Sequence, residues 1–177
     1  PNWATSPSSD EWPASVVTFK FRPDSAFSYS GEGYYLLQSA VENITGKKLD
    51  QLAADEIFIP LGMKNSSYAW RDDYDTLAAD GFSREGENRG KGRYPRANSA
   101  YTLRTTASDY SKFLDLLMSG EGLKGETYRD MITPATEAVR YAGKPRGCDK
   151  GVFWGLGVGI ETGTEFGDIL FHWGDNG

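Results

Sequence analysis

Apolar residues recur with a helical period through most of the chain and with an alternating period at its end. In residues 33–45, Leu37, Ala40, Val41 and Ile44 fall at i, i+3, i+4 and i+7, which predicts a helix with that stripe inward. Gly46 is placed to stop it. A second helix is predicted from Asp50, as N-cap, to about Phe58, with Leu49, Leu52, Ala53 and Ile57 on its buried side. Pro60 ends it and biases Ile59 toward an extended backbone. Thr106-Ala107-Ser108-Asp109 resembles a capping box with Asp in the Glu position. Tyr110, Phe113, Leu114 and Leu117 then repeat at helical spacing up to Gly120. A shorter helix at 126–132 closes on Thr133-Pro134. In the tail, Trp154, Leu156, Val158 and Ile160 alternate with Gly155, Gly157 and Gly159. That pattern predicts one strand with a bulky face and a bare face, the bare face packed closely by a helix. Residues 162–166 would turn the chain into a second strand at 168–173.

The remainder lacks a long period. Residues 1–15 read as loop, and Val17, Phe19 and Phe21 as a short extended piece. Arg22-Pro23-Asp24-Ser25 is a turn, and Phe27 and Tyr29 share a face of the next extended stretch. Residues 64–104 are punctuated by Asp80-Gly81, Glu85-Gly86 and Gly90-Lys91-Gly92, and loops this long often border binding sites. Residues 135–151 are again loop. Helices first and strands last make an α+β order: a helical domain with long loops over 1–150, then the first antiparallel strands of a sheet over 151–177.

Composition narrows the function. The chain has 177 residues, 19 basic and 25 acidic, for a net charge of −6. That argues against nucleic acid as a partner, because such binding rests on Lys and Arg neutralising phosphates. No apolar run approaches the roughly 20 residues of a membrane helix. One cysteine, Cys148, excludes an intrachain disulfide, and one Cys with one His makes no zinc site without several carboxylates. No metal or other cofactor is expected. Phosphate-loop and dinucleotide patterns are absent, as is a Gly-x-Ser-x-Gly elbow. The paired carboxylates Asp55-Glu56 and Asp72-Asp73 read as solvated charge. The chain begins on Pro1 and ends on Gly174-Asp175-Asn176-Gly177, a hairpin-turn composition. The expectation is a polypeptide cut at both ends.

What remains for chemistry is Tyr29, in Phe27-Ser28-Tyr29-Ser30-Gly31-Glu32-Gly33-Tyr34, and the single histidine, His172. A tyrosine serves as a base only when cations pull its pKa down from about 10. The nearest, Lys20 and Arg22, lie several positions upstream. A single strand histidine is structural more often than catalytic. The residues alone leave both readings open.

The stretch from Phe27 to Leu37, then Thr45-Gly46, then Ile59-Pro60-Leu61-Gly62-Met63 resembles the serine β-lactamase-related family. So do Thr102-Leu103-Arg104-Thr105-Thr106-Ala107-Ser108-Asp109-Tyr110 with Phe113, and Trp154-Gly155-Leu156-Gly157 followed by His172-Trp173-Gly174. That family groups class C β-lactamases, DD-peptidases and family VIII-type esterases. The five segments occur in the family's order across about 13–177. The resemblance implies a β-lactamase/DD-peptidase-like fold and hydrolysis of a small-molecule ester, amide or peptide through an acyl-enzyme. It implies Tyr29 and His172 as catalytic residues, and Gly31, Trp173 and Gly174 as substrate-binding ones. It favours a periplasmic or secreted location.

Two departures qualify that implication. Gly31 stands where many members carry Asn, so a side-chain amide that would bind a substrate amide is missing. This tilts the expectation toward an esterase over a β-lactamase. No Ser-x-x-Lys nucleophile motif occurs in the sequence. In the family that motif precedes the tyrosine, so it is expected upstream of Pro1, and this chain alone is expected to be inactive. The alternative is a non-catalytic binding or scaffold domain on the same fold.

Overall fold

The computed structural model describes residues 22, 27, 30–137, 151–172 and 174. The extended piece expected at 16–21, Tyr29, Cys148 and Trp173 lie outside the described residues. The chain divides into two compact units, Gly31–Ser119 and Pro1–Ser30 together with Gly120–Gly177.

The first unit opens with helix α1, Gly31–Thr45. It ends as expected at Gly46, which takes a φ of 69°. Its orientation differs from expectation. Leu37 and Ile44, from the predicted inward stripe, are 58% and 84% exposed, and the buried residue is Gln38. The inward side is polar because it has polar work to do. Gln38 donates to the Ala97 carbonyl at 3.1 Å and to Glu42 at 2.9 Å, and its own carbonyl oxygen accepts the Ser99 N–H at 2.9 Å. Ser99 Oγ returns a bond to the Tyr34 carbonyl at 2.8 Å. Residues 97–102 are thereby tied to α1.

Helix α2, Leu49–Ala53, runs into a π-helical turn at Ala54–Phe58. Asp50 is not its N-cap. Lys48 occupies that position without a side-chain bond, and the free Leu49 N–H is met from α1 by Glu42 Oε1 at 3.0 Å. Burial pushes the Glu42 carboxyl up, but bonds from Gln38, Lys48 and Leu49 outweigh it and hold it below the usual carboxylate value. Ile59 stays helical (φ −68°, ψ −50°) rather than extended. The wider turn explains this: Ile59 N–H reaches the carbonyl five residues back, Ala54, at 2.9 Å, and Met63 N–H reaches Phe58 at 2.7 Å. The widened spiral leaves room for the Pro60 ring that an α-helix would exclude. Ala53, Phe58 and Met63 form the core here, packed by Ile57, Leu61, Tyr68, Leu103 and Phe113.

The stretch 64–104 is mostly loop, with three short elements: α3 (Tyr74–Leu77) and an antiparallel pair, β1 (Gly81–Phe82) and β2 (Asn88–Gly90). Glu85-Gly86 lies in their connection, with Gly86 at φ 84°. Helix α4, Ala107–Ser119, starts as read from the sequence. Thr106 Oγ1 accepts the Asp109 N–H at 3.2 Å. The Asp109 carboxylate turns elsewhere. It is buried and accepts Asn65 N–H at 2.7 Å, Ser66 Oγ at 3.2 Å and Lys112 Nζ at 3.2 Å. Lys112 also donates to the Gly62 carbonyl at 2.6 Å. This clip fastens α4 to the segment after the π turn.

In the second unit, α5 (Gly125–Met131) precedes a four-stranded antiparallel sheet of order β3-β4-β5-β6. The strands are β3 (Thr136–Glu137), β4 (Val152–Trp154), β5 (Gly159–Thr164) and β6 (Gly167–Phe171). The predicted single strand over 154–160 is two strands, with a reversal at 155–158. Trp154 pairs with Gly159, Gly155 N–H bonds the Val158 carbonyl at 2.8 Å, and Gly157 takes φ 86°. A positive φ suits glycine alone at low cost, so a glycine every second residue served a turn as well as a face. Close approach holds at Gly155, whose missing Cβ leaves room for the Met131 carbonyl at the end of α5. At Gly159 the neighbour is the Phe171 ring, not a helix, and Gly157 faces open space.

Candidate active site

Trp154 gathers the aromatic side chains at one end of the sheet. It closes β4, is buried, and sits opposite Gly159 on β5 and near the end of β6. Its indole stacks on Phe27 with centroids 6.3 Å apart, tilts against Phe171 at 5.9 Å, and takes the His172 imidazole edge-on at 5.5 Å. Such aromatic pairs favour offset or edge arrangements at these separations. The bare backbone of Gly159 admits the ring of Phe171, the residue before His172.

Two residues far apart in sequence, Phe27 and His172, therefore meet on one side chain. Phe27 stands two residues before Tyr29, and His172 begins the His172-Trp173-Gly174 segment. His172 and Gly174 are exposed, and a Cβ at Gly174 would meet nothing within 4 Å. Gly31 is half-buried as the first residue of α1. The roles of Tyr29 and Trp173 fall on positions outside the described residues.

The first unit also has a cavity of about 380 Å³, lined by Asp50, Phe58, Met63, Ser66, Ser67 and Arg71 among others. Neither Gly31 nor His172 lines it. Its Arg71 is engaged by Asp73 and the Lys64 carbonyl. Asp55, expected as solvated charge, forms a surface ion pair with Lys47 at 2.8 Å. Among the described residues no group of three or more His, Cys, Asp or Glu is disposed to hold a metal, and no helix is long and apolar enough to cross a membrane.

Sequence reasoning placed Trp154 on the bulky face of a strand and missed its position between Phe27 and His172. The signal was the Trp-Gly start of the glycine-rich run, but a reversal at 155–158 is needed before β6 can return to that ring.

The fold is that of the β-lactamase and transpeptidase group: helices with an antiparallel sheet, present here in part. The β-lactamase family model matches residues 12–177, and the chain belongs to that family. Among solved structures it is similar to an octameric penicillin-binding protein homologue from Pyrococcus abyssi (21% identity, TM-score 0.64, 79% of this chain and 31% of that one). It is also similar to a penicillin-binding protein from Bacillus halodurans (25%, 0.63, 82% and 43%). A third is the D-amino acid amidase of Ochrobactrum anthropi complexed with L-phenylalanine (21%, 0.61, 86% and 46%). The chain spans less than half the length of each. No curated protein matches it.

Proposed function

We propose that this chain is one part of a serine hydrolase that cleaves a small ester or amide through an acyl-enzyme. The observation that carries the reading is the shared contact of Phe27 and His172 with Trp154. It brings Phe27, two residues before Tyr29 in sequence, and His172 to one ring at the end of the sheet. Family membership supplies the reaction class.

In this reading a serine hydroxyl, from a Ser-x-x-Lys outside this sequence, attacks the substrate carbonyl carbon and forms the new C–O bond. Its proton passes to the Tyr29 phenolate, whose pKa the lysine beside it depresses. As the tetrahedral intermediate collapses, the bond to the leaving alcohol or amine breaks and Tyr29 returns the proton to it. Water repeats the sequence in reverse and frees the acid. His172, Trp173 and Gly174 face the substrate, with His172 donating to it. Gly31 contributes no amide, which favours esters over β-lactams and other amides. By itself the chain is inactive.

The test uses the longer polypeptide that carries both parts. It should hydrolyse a p-nitrophenyl ester, and Tyr29→Phe should lower kcat by about 10²–10⁴-fold, the usual worth of a positioned acid–base group. Full activity in Tyr29→Phe would remove the tyrosine from the mechanism. An upstream segment without Ser-x-x-Lys would favour the second reading, a non-catalytic scaffold, for which Gly31 is the motivating residue.

A further inference from the structure

The cavity of the first unit carries one charge of each sign that the protein itself does not use. One wall is α2 with its π-helical turn. Asp50, Ala54 and Phe58 fall at i, i+4 and i+8 there, so they run along one side of the spiral over about 12 Å. The chain after the turn closes the Phe58 end. Met63 N–H bonds the Phe58 carbonyl at 2.7 Å, and Arg71 Nη1 bonds the Lys64 carbonyl at 2.8 Å. Met63, Lys64 and Arg71 therefore gather at that end, and Asp50 stands at the other. Ala54, Phe58 and Met63 make the floor apolar.

Asp50 is half-buried and Lys64 exposed, and neither side chain forms a hydrogen bond or ion pair with another described residue. Asp73 and the Lys64 carbonyl take three of the five Arg71 N–H groups, which fixes the guanidinium in the wall and leaves N–H capacity for one more acceptor. Asp73 offsets the Arg71 charge, so the cavity balances one cation, Lys64, against one anion, Asp50. A simple carboxylate would meet Asp50, and a simple amine would meet Lys64. A ligand with both charges at the ends of an apolar body suits each. A free amino acid has both charges on one carbon and cannot reach the two ends. A peptide spans about 3.3–3.6 Å per residue, so about three residues cover about 10 Å.

We propose that this cavity binds a short apolar peptide of about three residues. Its carboxylate lies on Lys64 and Arg71, its ammonium on Asp50, and its central side chain on Phe58 and Met63. The volume of about 380 Å³ lies in the range of small-ligand sites. The proposal does not rest on the catalytic reading, since neither Gly31 nor His172 lines the cavity.

The experiment titrates the longer polypeptide with alanyl-leucyl-alanine by calorimetry and ligand-observed NMR. The free peptide should bind, and its N-acetyl and C-terminal amide forms should each bind about 3–5-fold more weakly, the worth of one exposed charge pair. Two variants then assign the ends. Lys64→Ala should bind the free peptide and its amide equally while still distinguishing the N-acetyl form. Asp50→Asn should show the converse. Both variants should melt with the parent, because neither side chain is bonded within the protein. No binding at about 10 mM peptide overturns the proposal. So does unchanged selectivity for the ends in either variant. Tighter binding of 4-methylpentanoate or isoamylamine than of the peptide would mean a ligand with a single charge, and binding of leucine as tightly as the peptide would mean charges on one carbon; each overturns it. Binding that is lost in Tyr29→Phe and retained in both cavity variants would place the peptide in the catalytic site, and also overturns it. Ester hydrolysis recorded alongside keeps the two claims apart: failure of the peptide to bind with intact hydrolysis removes this site and leaves the catalytic reading standing.

Discussion

Replacing Gly155 with Ala adds one methyl group at the tightest point of the sheet unit. Built on that backbone, the Cβ overlaps the Met131 carbonyl oxygen and stands 3.0 Å from Ile160 Cδ1. Neither neighbour can step aside cheaply. Met131 O belongs to the backbone at the end of α5 and accepts the Leu156 N–H at 3.0 Å. Ile160 is 1% exposed. Relief requires α5 to move off the 155–158 reversal, breaking that hydrogen bond. Overpacking costs about 1–3 kcal/mol and the lost bond about 0.5–1.5 kcal/mol, for roughly 2–4 kcal/mol together. In a chain of this size that lowers Tm by about 5–15 °C. Two controls sharpen the test. Gly157→Ala meets nothing within 4 Å and bears only its φ of 86°, a strain of about 1–2 kcal/mol. Gly159→Ala meets the Phe171 ring, which can shift but then leaves Trp154. The expected order of melting temperatures, followed by Trp fluorescence, is Gly157→Ala above Gly159→Ala above Gly155→Ala. A Gly155→Ala protein melting within about 2 °C of the parent would refute the close-approach argument.

Two further outcomes follow from the helical unit. Asp109→Asn should cost about 2–3 kcal/mol in urea unfolding at pH 7, since three donors lose a charged acceptor in a buried setting. Burial raises the Asp109 carboxyl, but bonds from Asn65, Lys112 and Ser66 prevail and hold it below the ordinary aspartate value. Its contribution is therefore present above the unfolded value of about 3.9 and is lost as pH falls through the lower folded value, so parent and variant should converge below about pH 4. Gln38→Ala should cost about 1–3 kcal/mol and raise hydrogen exchange at Ser99, whose N–H loses its acceptor.

What could be read from the sequence was what depends on near neighbours. The α4 cap needs only Thr106 and the amide three residues on. The stops at Gly46 and Gly120 need only a residue that tolerates positive φ. What could not be read depends on distant chain. α1 faces inward with Gln38 because residues 97 and 99 offer it partners, and no period within the helix encodes that. The cap of α2 comes from Glu42, seven residues before Leu49. Alternating glycines look alike in a strand and in a reversal, and only the Met131 and Phe171 contacts tell their roles apart. For the candidate site, His172 was legible as a lone titratable residue, but its meeting with Phe27 at Trp154 required the sheet order.

The central claim is that the Tyr29 and His172 segments act in one site. A double-mutant cycle on kcat/KM for p-nitrophenyl ester hydrolysis by the longer polypeptide, with Tyr29→Phe, His172→Ala and both together, tests it most directly. One shared site requires the two losses to be non-additive, with a coupling above about 1 kcal/mol. Losses that add within about 0.5 kcal/mol would mean two independent places in the molecule, and would contradict the account.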